Sequence, residues 1–227
     1  MNGRVVLVVG AGGVLGAATC DEFADAGYTV VGLRRAAAAE ANAAVRFLAC
    51  DLWNPVATWR VVHEIVVKLG HVDVVVCNAA HLAVAPFEEL ALEDFETSWR
   101  VGVGTTVAAA RAVLPSMTQR RNGTLIITGA TASIRGTARF SAFAASKFAL
   151  RGLAQSLARE YQPQGVHVAH VVLDGVLRGS PSVARFAKHE DNCLEPRHVA
   201  ATFRHLAEQH ASAWTHEIDL RPHAERF

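Results

Sequence analysis

The sequence predicts one α/β domain over 1–227: a doubly wound parallel sheet of about seven strands with helices on both faces. Three observations predict it. Short, continuous, valine-rich apolar runs recur along the chain, as in strands buried on both faces of a parallel sheet. Helix-like stretches separate these runs, giving β-α-β-α alternation. No Ser/Gly/Pro-rich linker or tandem repeat divides the chain.

Val5–Val9 is the first such run, and a glycine-rich turn follows it. The stretch from Val14 to Ala26 then reads as a helix stopped by Gly27. Further strands are expected at Thr29–Leu33, Val45–Cys50, Val72–Cys77, Leu125–Thr128, Val166–Leu173 and Thr215–Leu220. Helices are expected at Val56–Leu69, Glu93–Gln119, Phe140–Tyr161 and Pro196–Gln209. The alanine run Ala36–Ala39 reads as the start of a helix or a loop beside it. The most irregular stretch is 174–195, read as a loop over the substrate side.

Composition excludes several functions. With 22 basic and 21 acidic residues the net charge is +1. The basic residues are scattered, with Arg120-Arg121 the one short cluster, so no nucleic-acid footprint is present. Cys20, Cys50, Cys77 and Cys193 form no C-x-x-C pair and read as buried thiols of a reducing, cytoplasmic protein. His167 and His170 fall on opposite faces of a strand, and no H-E-x-x-H occurs, so no metal is expected. The uncharged run from Val5 to Cys20 does not read as a signal peptide, because four glycines interrupt it. No segment reaches the ~18 apolar residues that span a bilayer.

The chemistry starts at Gly10-Ala11-Gly12-Gly13-Val14-Leu15-Gly16, between the first strand and its helix. Glycines there let backbone approach a pyrophosphate, and the helix N-terminus offers free N–H groups and a positive dipole end. This is the Rossmann-type arrangement for a dinucleotide. After the second strand, a carboxylate normally accepts from the ribose hydroxyls of NAD. Here Leu33-Arg34-Arg35 stands in that place. Two guanidiniums suit a 2′-phosphate, so NADP(H) is favoured over NAD(H).

The chain resembles the short-chain dehydrogenases/reductases from about residue 4 to residue 178. The turn Gly10–Gly16 resembles the family's cofactor turn. Asp51-Leu52 resembles the pair at the adenine, and Cys77-Asn78-Ala79-Ala80 the family's Asn-Asn-Ala-Gly. Phe143-Ala144-Ala145-Ser146-Lys147 resembles its Tyr-x-x-x-Lys segment. The resemblance implies an oxidoreductase acting on a small carbonyl or alcohol, without nucleic-acid or membrane partners. It also implies a homodimer or homotetramer, paired through the helices after the fourth and fifth strands.

The departures are specific. Phe143 stands at the active tyrosine, Ala130 at the serine thirteen residues before it, and Gly102 at the asparagine. Lys147 alone of that set remains, and a Pro-Gly near the nicotinamide has become Asp174-Gly175. The family's middle turn glycine falls on Val14, with Gly13 one place early. In the family, tyrosine protonates the carbonyl oxygen, lysine holds the nicotinamide ribose, and serine holds the substrate oxygen. Losing a general acid costs roughly 10²–10⁴-fold in rate. Two readings follow: an oxidoreductase with an atypical site, or a non-catalytic NADP(H)-binding sensor, subunit or scaffold. Thr131, Ser133, Ser141 and His81 are the candidate replacement donors, each with an ordinary role as turn-former, helix-start or edge residue.

Overall fold

The computed structural model describes residues 3–36, 44–187, 189 and 192–224. Its sheet strands are β1 (Val5–Val9), β2 (Thr29–Arg34), β3 (Val45–Ala49), β4 (Val74–Cys77), β5 (Gly123–Thr128), β6 (Val166–Leu173) and, at the far edge, β9 (Glu217–Leu220). They form one parallel sheet in the order β3-β2-β1-β4-β5-β6-β9. Every residue of β1, β4, β5 and β6 is buried, as their continuous apolar runs require of strands covered on both faces.

Helices α1 (Val14–Asp25) and α7 (Pro196–Ala207) cover one face. There Phe23, Phe203 and Leu206 pack on Val6, Val8 and Val171. Helices α2 (Pro55–Leu69), α4 (Thr105–Arg120) and α5 (Ser141–Tyr161) cover the other. A two-stranded ribbon, β7 (Val176–Leu177) with β8 (Cys193–Leu194), and the short α6 (Val183–Phe186) lie in the stretch after β6. Neither was expected from sequence. All four cysteines are free and buried. Ala37, Ala38 and Ala39 of the alanine run lie outside the described residues.

Two strands are shorter than expected because side chains claim their first residues. The Val72 carbonyl accepts from Arg120 Nη2, and β4 starts at Val74. Thr215 gives its N–H to Gln209 Oε1 and its carbonyl to the His167 ring, so β9 starts at Glu217.

The expected helix Glu93–Gln119 is interrupted. Between α3 (Leu92–Trp99) and α4, residues Arg100–Gly104 form a π-helical turn. Wide turns weaken the helical hydrogen-bond ladder. Threonine hydroxyls supply donors here: Thr105 Oγ1 gives to Leu52 O at 2.8 Å and Thr106 Oγ1 to Gly102 O at 2.8 Å.

Strand order reverses at β1 and β4. In an open α/β sheet, the crevice beyond the strand carboxyl ends at that point is the binding place. Gly10 ends β1 with φ +100°, a conformation L side chains rarely adopt. Asn78, just past β4, ties the two strand ends together through Nδ2 to Gly10 O at 3.1 Å. At Gly16, a Cβ would lie 2.3 Å from Gly10 O. Helix α1 therefore packs directly against the turn that precedes it.

Candidate active site

A cleft of about 770 Å³ opens at this crevice. Its first end is the glycine turn: Gly10, Gly12, Gly13, Val14 and Leu15 line it. Helix α1 begins here with Gly13 as N-cap, no side-chain cap and no acidic residue in its first turn. Its leading N–H groups are left for an external acceptor, which fits a phosphate group. Gly16 lies beneath the turn rather than on the cleft wall.

Arg34 and Arg35 line the same end. Arg34 rests its guanidinium over the Phe47 ring at 4.3 Å and donates to Ala36 O at 2.9 Å. The side chain is thereby held at the mouth of the turn, with Gly12 close against its Cβ. Leu52, Asn78, Ala79 and Ala80 form the next wall. Asp51 does not line it: its carboxylate is turned back to accept the Trp53 N–H at 3.0 Å. Trp53, not singled out from sequence, does line it, and its ring packs edge-on against His81 at 5.6 Å.

The far end holds Lys147, Phe143, Ala130, Thr131, Asp174 and Gly175. Helix α5 carries Phe143 and Lys147 one turn apart, so both project toward the strand ends. The Lys147 ammonium donates to Thr128 O at 2.7 Å and is buried. Burial pushes its pKa down to about 8. Its nitrogen lies over the Phe143 ring, 5.6 Å from the centre. Gly102 sits outside the cleft wall in the π-helical turn, where a Cβ would come 2.7 Å from Ser146 Oγ.

Of the candidate replacement donors, Thr131 and His81 reach the cleft; Ser133 and Ser141 do not. Ser133 is fully buried and accepts the Ala130 N–H at 3.0 Å. Thr131 Oγ1 donates to Asp174 Oδ1 at 2.5 Å. The buried Asp174 also faces Arg221 at 3.4 Å and Arg135 at 3.9 Å. Sequence reasoning noted Asp174 only as a departure from Pro-Gly. The signal available was that a carboxylate at a strand end needs a partner.

Behind Lys147, on the same face of the sheet, His170 Nδ1 lies 2.8 Å from Glu217 Oε2. Arg151, one turn along α5, holds Glu217 with two bonds of 2.6 and 2.8 Å. Burial lowers the His170 pKa, and Arg151 lowers that of Glu217. His167 points to the opposite face and stacks on Trp214. Among the described residues, no group of three or more His, Cys, Asp or Glu is placed to share a metal ion. No helix among them is long and apolar enough to cross a membrane.

A doubly wound sheet with this crevice, an uncapped helix N-terminus on its wall and a buried lysine at its far end defines a nucleotide-binding oxidoreductase of the Rossmann class. The short chain dehydrogenase family model matches residues 4–189, and the chain belongs to that family of NAD(P)-dependent oxidoreductases. It is 34% identical over 180 residues to a short-chain dehydrogenase/reductase of Armillaria gallica, covering 74% of this chain and 69% of that one. It is 28% identical over 177 residues to the D-threitol dehydrogenase of Mycolicibacterium smegmatis, covering 74% and 68%. The crystal structure of a Rhodopseudomonas palustris short-chain dehydrogenase superposes with a TM-score of 0.83 at 30% identity, covering 97% of this chain and 99% of that one.

Proposed function

We propose that this protein is an NADP(H)-dependent oxidoreductase acting on a carbonyl or alcohol, with an atypical catalytic site. One observation carries the reading: a single cleft joins the glycine turn and Arg34-Arg35 at one end to Lys147 at the other. The backbone of Gly10, Gly12, Gly13 and Leu15 holds the pyrophosphate, with Gly16 allowing the close helix. Arg34 and Arg35 take the 2′-phosphate. Asp51-Leu52 shape the adenine site through the Asp51-capped turn, with Asn78, Ala79 and Ala80 on its other side. Lys147 holds the nicotinamide ribose, and Gly175 lies beside the nicotinamide. When bound, the cofactor supplies or accepts the hydride.

The described residues after β6 cover the substrate side, where Phe186 meets Phe140 at 5.5 Å. The walls there are largely apolar, which suits a small organic substrate and keeps water from the reacting carbon. We place the protein in the cytoplasm. The test is NADPH titration by fluorescence, followed by absorbance assays against a panel of ketones, aldehydes and alcohols. Phe143, Ala130 and Gly102 favour a second reading, non-catalytic NADP(H) binding. Tight NADPH binding with no turnover of any panel member supports that reading instead.

A further inference from the structure

Phe143 leaves the reacting end without the family's proton donor, so another group of the cleft must fit the task. The Thr131 hydroxyl proton is committed to Asp174, and Asp174 is engaged by Arg221 and faces Arg135. The hydroxyl of Ser133 is buried off the cleft wall, and those of Thr128 and Ser180, residues that do line the cleft, are themselves buried. His81 leans on Trp53, on the wall that follows β3. Lys147 remains. It is 4% exposed, lines the cleft, and carries three N–H donors, of which Thr128 O takes one.

No carboxylate among the described residues pairs with Lys147. On this face of the sheet, Glu217 of β9 is held by Arg151 and by His170 of β6. Asp174, directly after β6, faces Arg135 of the turn before α5. Glu96 of α3 and Arg100 of the π-helical turn pair with each other at 3.4 Å. Burying an ammonium without a counter-ion disfavours its charge. An amine in that position gives up a proton readily.

We propose that Lys147 is the proton-transfer residue of this enzyme as well as its ribose anchor. The inference rests on the oxidoreductase reading above. In reduction, the carbonyl π bond breaks. Its carbon takes hydride from the reduced nicotinamide and its oxygen takes a proton from Lys147 Nζ. The products are an alcohol, oxidised nicotinamide and a neutral lysine amine, which recovers its proton from water. In alcohol oxidation the same nitrogen accepts the hydroxyl proton. The lowered pKa of about 8 keeps both forms within reach near neutrality, as general acid–base catalysis requires.

The test compares wild type with Lys147→Arg and Lys147→Met. Arginine keeps the charge and donors but holds its protons throughout the working range. Acetylation of Lys147 by acetic anhydride, followed by mass spectrometry across pH, reads its titration in the free protein. The expected midpoint is about 8. Lys147→Arg should bind NADPH within about tenfold of wild type yet reduce carbonyls roughly 10²-fold or more slowly. Lys147→Met should lose both binding and rate. Three results overturn the proposal: an Arg variant that keeps the wild-type rate, an amine that titrates like an ordinary lysine, or wild type that binds NADPH but reduces nothing. Wild type that fails to bind NADPH overturns the cofactor reading itself.

Discussion

The Lys147 ammonium lies over the Phe143 ring, 5.6 Å from its centre, where the family places a tyrosine. A buried cation over an aromatic face gains roughly 0.5–2 kcal/mol. Phenylalanine therefore still supports the lysine electrostatically while withholding a proton.

Restoring the hydroxyl tests what replaced it. Phe143→Tyr with Ala130→Ser rebuilds a donor and a second partner for the substrate oxygen in the existing cleft. With Lys147 as the proton source, this double variant should not exceed wild type by the full general-acid factor. Its rate should also lose the dependence on a group titrating at about 8. Steady-state rates across pH check this. A gain of roughly 10²-fold or more would instead mean that wild type has no working acid.

Arg34 and Arg35 set the second prediction. NADPH should bind more tightly than NADH, and Arg34→Ala with Arg35→Ala should weaken NADPH selectively by about tenfold or more, as loss of charge-assisted bonds implies. Fluorescence titration of both cofactors decides it. Equal affinities in wild type would refute the assignment.

The His170–Glu217 pair predicts how stability depends on pH. Burial holds the His170 pKa below its ordinary 6.5, so the unfolded chain takes up that proton first. Stability is then full above that value and declines as pH falls through and below it. Glu217, also lowered, extends the loss further into acid. The melting temperature should drop by roughly 2–4 °C per kcal/mol lost. His170→Gln should reduce that slope, with His167, whose pKa is lowered as well, accounting for part of what remains. Calorimetry at several pH values measures both.

Assembly is the fourth prediction. Trp99 of α3 is half-exposed in a hollow it shares with the small residue Ala145 of α5, and Phe148 is half-exposed on α5. The family pairs these helices, and a homodimer or homotetramer through them is expected here. Light scattering at micromolar concentration checks it, and a monomer would count against it.

Much of the fold was legible because its signals are local. Val5–Val9 and Val166–Leu173 are strands, and wholly buried, where their apolar runs place them. The glycine turn and Lys147 could be placed by spacing along single elements. What stayed hidden depends on residues distant in sequence. Thr131 meets Asp174 across 43 positions, and Arg151 meets Glu217 across 66. The π-helical turn was invisible because Arg100–Gly104 carries ordinary helical spacing. What the sequence does not reveal there is the pair of threonine hydroxyls that make the wide turn tolerable. Asp51 could not be foreseen to turn back from the cleft, since that depends on the Trp53 N–H of its own turn.

The central claim is that this cleft transfers hydride between NADP(H) and a carbonyl or alcohol despite Phe143. Single-turnover mixing of wild-type protein and NADPH with a carbonyl panel tests it most directly, read by the near-ultraviolet absorbance of the reduced nicotinamide. The account predicts a carbonyl-dependent loss of that absorbance, slowing as the pH rises through about 8. Bound NADPH that keeps its absorbance with every carbonyl offered would contradict it.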